Sequence, residues 1–381
     1  ETVLNLLAHH YEHSTNEVKK QEYLLRAGEA AQANYANEAA IEYFEKVLPL
    51  LPPGGDIPVL LRLGQVLELT GQWEAAEERY AQAENRAREV GDDQARARCE
   101  AKTGELFRKQ GEYVEAAAWL ELARSRFEEI GDQAGLGQVL HSAGTLADQQ
   151  GENDMARTLY LQSLEVRREL DDKPAIGSLL SNLGIVAFRQ GQLDLAHSLL
   201  EESLAIRREI DDRWAIAVTL NNIGFLALDL GQLDEAHDRL QEALNLQREV
   251  GDRWMIGNAL NNLGNVAREQ GDLEGAQSLY DESLVIYRVL GDKWALAYLF
   301  EDTGSLAALE GNSRRALRLV GAASTLREEI GAPLTTTERS KLEAALEPAR
   351  EALDKEEQTS ACAAGRAMSQ EEAIQEAISS Q

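Results

Sequence analysis

DDRWAIAVTLNNIGFLALDLGQLDEAHDRLQEALNLQREVGD, running from Asp211 to Asp252, is the stretch from which the fold follows. Trp214, Ala217, Leu220, Ile223 and Ala227 fall at helical spacing and predict a first helix of about four turns. Gly231 stops it, because glycine takes the left-handed backbone conformation without steric cost. Asp234 then suits the first turn of a second helix, where a negative charge meets the positive end of the helix dipole. Ala236, Leu240, Ala243 and Leu244 form the apolar stripe of that helix, and Gly251 ends it. Gly224 and Ala236 are small where the two helices are expected to cross with their backbones close together.

The pattern recurs every forty residues. Gly71, Gly111, Gly151, Gly191, Gly231, Gly271 and Gly311 share one register, and Gly64, Gly104, Gly144, Gly184, Gly224, Gly264 and Gly304 a second. Ala76, Ala116, Ala156, Ala196, Ala236, Ala276 and Ala316 share a third. Three registers without a slip mean a repeat array, each unit burying its apolar face only against its neighbours. The chain is expected to be all-α: N-terminal helices over residues 1–53, seven 40-residue units over 54–331 and a helical cap over 332–381. Within the first segment, 17–53 is a diverged unit with Tyr35-Ala36-Asn37 as its turn and Ala40 and Phe44 as its packing pair. Pro49, Pro52, Pro53 and Gly54-Gly55 then break the array with a kink or hinge. In the cap, Thr335 with Glu338 and Ser369 with Glu372 fit capping boxes and predict two further helices.

Composition narrows the function. With 66 acidic against 38 basic residues the net charge is −28, which repels a phosphate backbone and argues against direct nucleic-acid binding. No apolar run approaches the roughly 18 residues a membrane span needs, and no signal peptide opens the chain. Cys99 and Cys362 are distant and read as free thiols of a reducing cytoplasm. A start at Glu1 rather than Met reads as a piece of a longer protein.

The repeat resembles the tetratricopeptide repeat, and the resemblance covers roughly residues 17–330. Its Leu-Gly mark in the first helix is carried by Leu183-Gly184 and Leu263-Gly264. Its small-then-aromatic mark in the second is carried by Ala76 with Tyr80, Ala156 with Tyr160 and Ala276 with Tyr280. The unit here is 40 rather than 34 residues, no proline closes it, and Ala187, Ala227 and Ala267 stand where the family often has tyrosine. The resemblance implies a right-handed α-α superhelix, a tetratricopeptide-repeat solenoid. At the two ends, LVGAASTLREEIGAPLTTTER (319–339), GRAMSQEEAI (365–374), LLAHHYEHS (6–14) and AGEAAQANYANEAAIEYFEKVLPLLP (27–52) resemble helical-repeat arms of bacterial STAND-class signalling ATPases. Those arms accompany LuxR-type or SARP-type transcription regulators or nucleotide-cyclase domains. Cys362 stands where that family often has a tryptophan. The resemblance implies a cytoplasmic arm that docks a protein or senses a signal and controls an ATPase switch. No G-x-x-x-x-G-K-[ST] motif occurs in these residues, so the ATPase itself is not among them.

A ligand is expected on the concave face lined by the first helices. Two and three residues before each helix glycine stand Ser181-Asn182, Asn221-Asn222 and Asn261-Asn262. Asn258, Asn261, Asn262 and Asn265 fall at i, i+3, i+4 and i+7 on one face. Asparagine is a mediocre helix former, and its amide offers both a donor and an acceptor, which suits an extended peptide backbone. Ile185, Phe188, Phe225 and Leu228 would add an apolar floor, and Arg189 and Arg268 flank the ladder. Arg62, Arg98, Lys102, Arg108 and Lys109 would make the N-terminal part of the groove basic. The partner expected is a protein or an extended peptide with an apolar centre and acidic residues toward units one and two. The parent protein's own ATPase module is one candidate. The competing reading is that the asparagines only hydrogen-bond between neighbouring first helices. A small-molecule sensor arm and a self-association scaffold are the functional alternatives.

Other signals carry less. Trp214, Trp254 and Trp294 recur at forty residues and read as packing anchors of the inter-repeat turn. His9 and His13 are i, i+4 but lack a third ligand at motif spacing, and His197 and His237 repeat beside polar residues of the outer helix. No catalytic constellation emerges, and neither an enzyme activity, a cofactor nor a metal is expected.

Overall fold

A computed structural model of the chain describes residues 2–378. Contacts divide it after Gln190 into two compact bodies.

The first body holds α1 (Thr2–Glu12), α2 (Glu17–Ala33), α3 (Asn37–Val47), α4 (Ile57–Leu69) and α5 (Trp73–Val90). It continues with α6 (Asp93–Gln110), α7 (Tyr113–Ile130), α8 (Gln133–Gln149), α9 (Asn153–Glu169) and α10 (Lys173–Arg189). The pairs α2/α3, α4/α5, α6/α7 and α8/α9 make its closest helix contacts. α2 and α3 pair over the stretch read as a diverged unit: Ala40 and Phe44 are fully buried, and Phe44 lies against bare Gly28 as Tyr80 lies against Gly64. Tyr35 turns the chain between them with a positive φ of 56°. The proline-rich stretch forms a short 3-10 turn, Leu48–Leu50, and non-helical chain up to Asp56.

The second body holds α11 (Leu193–Glu209), α12 (Arg213–Asp229), α13 (Leu233–Val250), α14 (Arg253–Gln270) and α15 (Leu273–Leu290). After them come α16 (Lys293–Leu309), α17 (Ser313–Ile330), α18 (Thr336–Glu351), α19 (Lys355–Arg366) and α20 (Gln370–Ala377). The pairs α12/α13, α14/α15 and α16/α17 repeat the geometry expected from the 211–252 stretch. Gly231 takes φ 72° after α12. A Cβ added at Gly224 would stand 2.5 Å from Leu240 Cγ, so the absent side chain is what lets α12 and α13 close.

Two features extend the sequence reading. Asp92, Asp132, Asp172, Asp212, Asp252 and Asp292 each cap a first helix, the carboxylate accepting a backbone N–H three residues on. The cap contains three helices rather than two: besides the boxes at Thr335 and Ser369, Asp354 and Glu357 form a third that starts α19. Gly321 and Gly365 let α19 lie backbone to backbone on α17. Ala373, Ile374 and Ala377 of α20 bury themselves in the core with Phe300 and Leu319. Among the described residues no helix is long and apolar enough to cross a membrane.

Candidate functional site

α12, α14 and α16 place the asparagine positions of the second body on successive first helices, and the 40-residue period puts equivalent residues side by side. Asn221 donates its side-chain amide to Asn258 Oδ1 at 2.8 Å, and Asn262 donates to Asn221 at 3.3 Å and to Asn258 at 3.4 Å. These three amides form a closed triangle between α12 and α14, and Asn221 and Asn262 are buried within it. One turn away, Asn261 and Asn265 donate to Asp302 Oδ2 at 3.0 and 3.1 Å, and Arg268 donates to Asp302 Oδ1 at 3.4 Å. Tyr280 donates its hydroxyl to Asn265 Oδ1 at 2.7 Å. Burial works against the charge of Arg268, but Tyr280, Asp302 and Glu269 outweigh it and hold the guanidinium firmly protonated. Asn222 is half-buried, and no partner for its amide occurs among the described residues.

Asp302 is the member that sequence reasoning missed. It lies two residues before Gly304, the offset that Asn222 and Asn262 hold from their own glycines. The signal was present in the register, in a residue type other than the one sought.

The first body has its own wired face. Asn182 Nδ2 stands 3.0 Å from His141 Nε2, so neutral His141 accepts from it. Burial lowers the His141 pKa, the cations of Arg167 and Arg108 lower it further, and Glu105 acts against them. Lys102 pairs with Glu105 at 2.8 Å, and Ser142 donates to the same carboxylate at 2.9 Å. Burial pushes the Glu105 carboxyl up, yet Lys102, Ser142 and Lys109 outweigh it and leave it below the usual range. Lys109 and the Tyr80 hydroxyl both meet buried Glu68, Arg108 donates to Gln149 at 3.0 Å, and Arg189 pairs with Asp148. Arg62 reaches Glu29 at 3.2 Å, whereas Arg98 is exposed. The basic side chains expected to line this part are therefore largely matched by acceptors of neighbouring helices. Phe188 and Phe225 sit on α10 and α12, one in each body.

The tetratricopeptide repeat family model matches residues 56–129, 102–169, 135–209, 175–249 and 255–329, well over half of the chain. The chain belongs to the tetratricopeptide repeat family. No match is found among the curated proteins. Among solved structures, a STAND protein with a tetratricopeptide repeat sensor from Pyrococcus horikoshii is similar at a TM-score of 0.64 and 14% identity, over 92% of this chain and 54% of that one. The chain thus spans about half the length of that relative. Aspartyl phosphate phosphatase F from Bacillus subtilis is similar at a TM-score of 0.58 and 14% identity, over 71% of this chain and 70% of that one. A Rap protein complexed with competence and sporulation factor follows at 0.51 and 14%, over 74% and 94%. At these identities the likeness is one of tetratricopeptide-repeat fold.

The remaining chemical groups fit that scaffold. Trp214 and Trp254 donate their indole N–H to Asp252 and Asp292 at 3.0 and 2.7 Å, tying each repeat to the capping aspartate of the next. His9 and His13 stack edge-on with ring centres 5.0 Å apart. Among the described residues His197, Glu201 and Glu235 bring potential ligand atoms within 4.8 Å of one another. Arg239 lies 2.9 Å from Glu201 and 3.6 Å from Glu235, so a guanidinium already supplies the positive charge there. Burial pushes the Glu301 carboxyl up, against the pull of Arg327, which binds it at 2.6 and 2.8 Å. That pair is buried beside Tyr298, whose ring lies 4.3 Å from the guanidinium, and it joins α16 to α17. The family matched is a repeat scaffold, and no catalytic family is indicated.

Proposed function

We propose that the first-helix face of the second body, centred on Asn222, binds an extended segment of a protein partner, and that this engagement regulates an attached signalling ATPase or transcription module. The observation that carries the proposal is the contrast between Asn222 and its neighbours. Asn221, Asn258 and Asn262 fix one another, while Asn222 offers a donor and an acceptor with no partner among the described residues. An unpaired amide beside a hydrogen-bonded polar triangle suits the backbone N–H and C=O of an extended chain. Phe225, 44% exposed one turn along, supplies an apolar neighbour on the same helix. On the first body Asn182, Arg189, Lys102, Arg108 and Lys109 occupy the corresponding face, with less free hydrogen-bonding capacity.

Two of the similar structures support the reading. One is the tetratricopeptide repeat sensor of a STAND protein, and the other is a Rap protein complexed with competence and sporulation factor.

The test is capture of a partner from lysate by the wild type, by Asn222→Ala and by Asn222→Arg at matched melting temperature. Asn222 can be changed without breaking the amide triangle, which Asn262 cannot. Loss of one captured protein in both variants supports the proposal. Equal capture by all three moves binding away from this face.

A further inference from the structure

The regular units obey a packing rule that α18 breaks. Of the helices that precede it, α14 packs more on α13 than on α12, and α16 more on α15 than on α14. α18 instead packs more on α16 than on α17, because α19 covers α17 through the Gly321–Gly365 approach. The displaced helix is tied down in three places. Its first turn meets α16, where Tyr298 donates to Glu338 at 2.7 Å. Its apolar side, Leu342, Leu346 and Ala349, covers Ala307, Ala308 and Ala316. Between them Lys341 reaches Asp229, the last residue of α12 and 112 residues earlier in the chain.

That last contact skips a helix. α14, with Asn258, Asn261, Asn262 and Asn265, lies between α12 and α16 in the stacking order. Asp229 is seven residues after Asn222, hence two turns along the same stripe of α12. We infer that α18 is a strap across the asparagine-bearing face of the second body, latched electrostatically by Lys341 on Asp229. The inference rests on the proposed binding role of that face for its significance, but its geometry stands apart from it. Lys341 is 63% exposed and Asp229 27%, so the latch sits in water. Exposed ion pairs are weak and salt-sensitive, which suits a strap that opens and closes.

Hydrogen exchange of the full chain tests the latch without a ligand. Lys341→Asp, Asp229→Lys and about 0.5 M salt should each speed exchange over residues 336–351, by roughly two- to fivefold for a pair of this kind. Exchange of α13 should stay unchanged in the same samples. The reciprocal swap Asp229→Lys/Lys341→Asp should restore the wild-type rate. A parallel readout is maleimide labelling of Asn222→Cys in a Cys99→Ser/Cys362→Ser background, which Lys341→Asp should accelerate by a similar factor. No acceleration in the single reversals, or a swap that fails to restore protection, overturns the strap. A restored swap together with capture indifferent to Asn222→Ala upholds the strap and overturns only the binding role.

Discussion

Asn261 donates its side-chain amide to Asp302 at 3.0 Å across forty-one residues of sequence, while its Oδ1 is buried with no hydrogen-bond partner among the described residues. Asp302 is thus the shared acceptor of one helix pair, and removing it should strand three donors at once. Asp302→Ala should lower stability by about 1–3 kcal/mol, the cost of leaving these half-buried donors unpaired. Asp302→Asn keeps one acceptor and should lose less. The shift in denaturation midpoint checks both, and equal midpoints for Ala and wild type would contradict the network.

Gln247 presents the opposite case. It is 1% exposed, and among the described residues neither its amide nitrogen nor its oxygen has a partner. At the same position of other units Arg207 donates to Ala215 O, Tyr287 to Trp254 O and Arg327 to Glu301. Gln247→Met conserves the shape and removes the unsatisfied amide, so it should raise stability by about 1–2 kcal/mol. A melting temperature that falls would show that the amide is bonded in solution.

His141 should make the first body sensitive to mild acid. Its folded pKa lies below the ordinary 6.5, so the folded state binds fewer protons than the unfolded chain near that pH. The stability it allows is fully present above about pH 6.5 and is lost as pH falls below that value. Protonation also turns Nε2 from an acceptor into a donor facing Asn182. His141→Gln keeps an acceptor without a titrating group. The drop in melting temperature from about pH 7.5 to about pH 5.5 should be smaller in this variant than in the wild type.

Asp171 and Asp211 hold positive φ angles of 52° and 54°, at the turn where other units have Gly91, Gly131, Gly251, Gly291 and Gly331. Aspartate tolerates that conformation better than most residues, but it retains the steric cost of a Cβ. Asp211→Gly should stabilise by about 0.5–1 kcal/mol, and Asp211→Ala should destabilise. Urea unfolding of the pair decides it, since any order other than Gly above Ala would show that the turn is not strained.

Helix positions were legible because glycine and alanine recur wherever the backbone itself demands them. Gly224 faces Leu240 with no space for a side chain, and no distant residue is needed to infer that. The wiring of the asparagines was not legible to the same degree. The sequence places Asn258, Asn261, Asn262 and Asn265 on one face, yet which neighbour each amide meets depends on the small rotation between units. That rotation sends Asn258 and Asn262 back to Asn221, and Asn261 and Asn265 forward to Asp302. The start of α19 is legible by the same rule, since Asp354 and Glu357 stand at the same spacing as Thr335 with Glu338 and Ser369 with Glu372.

The span of the polar contacts has a consequence for how such a chain can change length. On the first-helix faces a recurring set of partners lies 41 or 37 residues apart, as in Lys109 with Glu68, Asn262 with Asn221, Ser142 with Glu105 and Asn265 with Asp302. Each span is one period with a one-residue advance or a three-residue retreat. Removing or duplicating a whole forty-residue block therefore re-forms every seam with residues of equivalent position, whereas an insertion of any other size dephases the seams that span it. A change of length by whole blocks can therefore alter reach while every seam keeps its register.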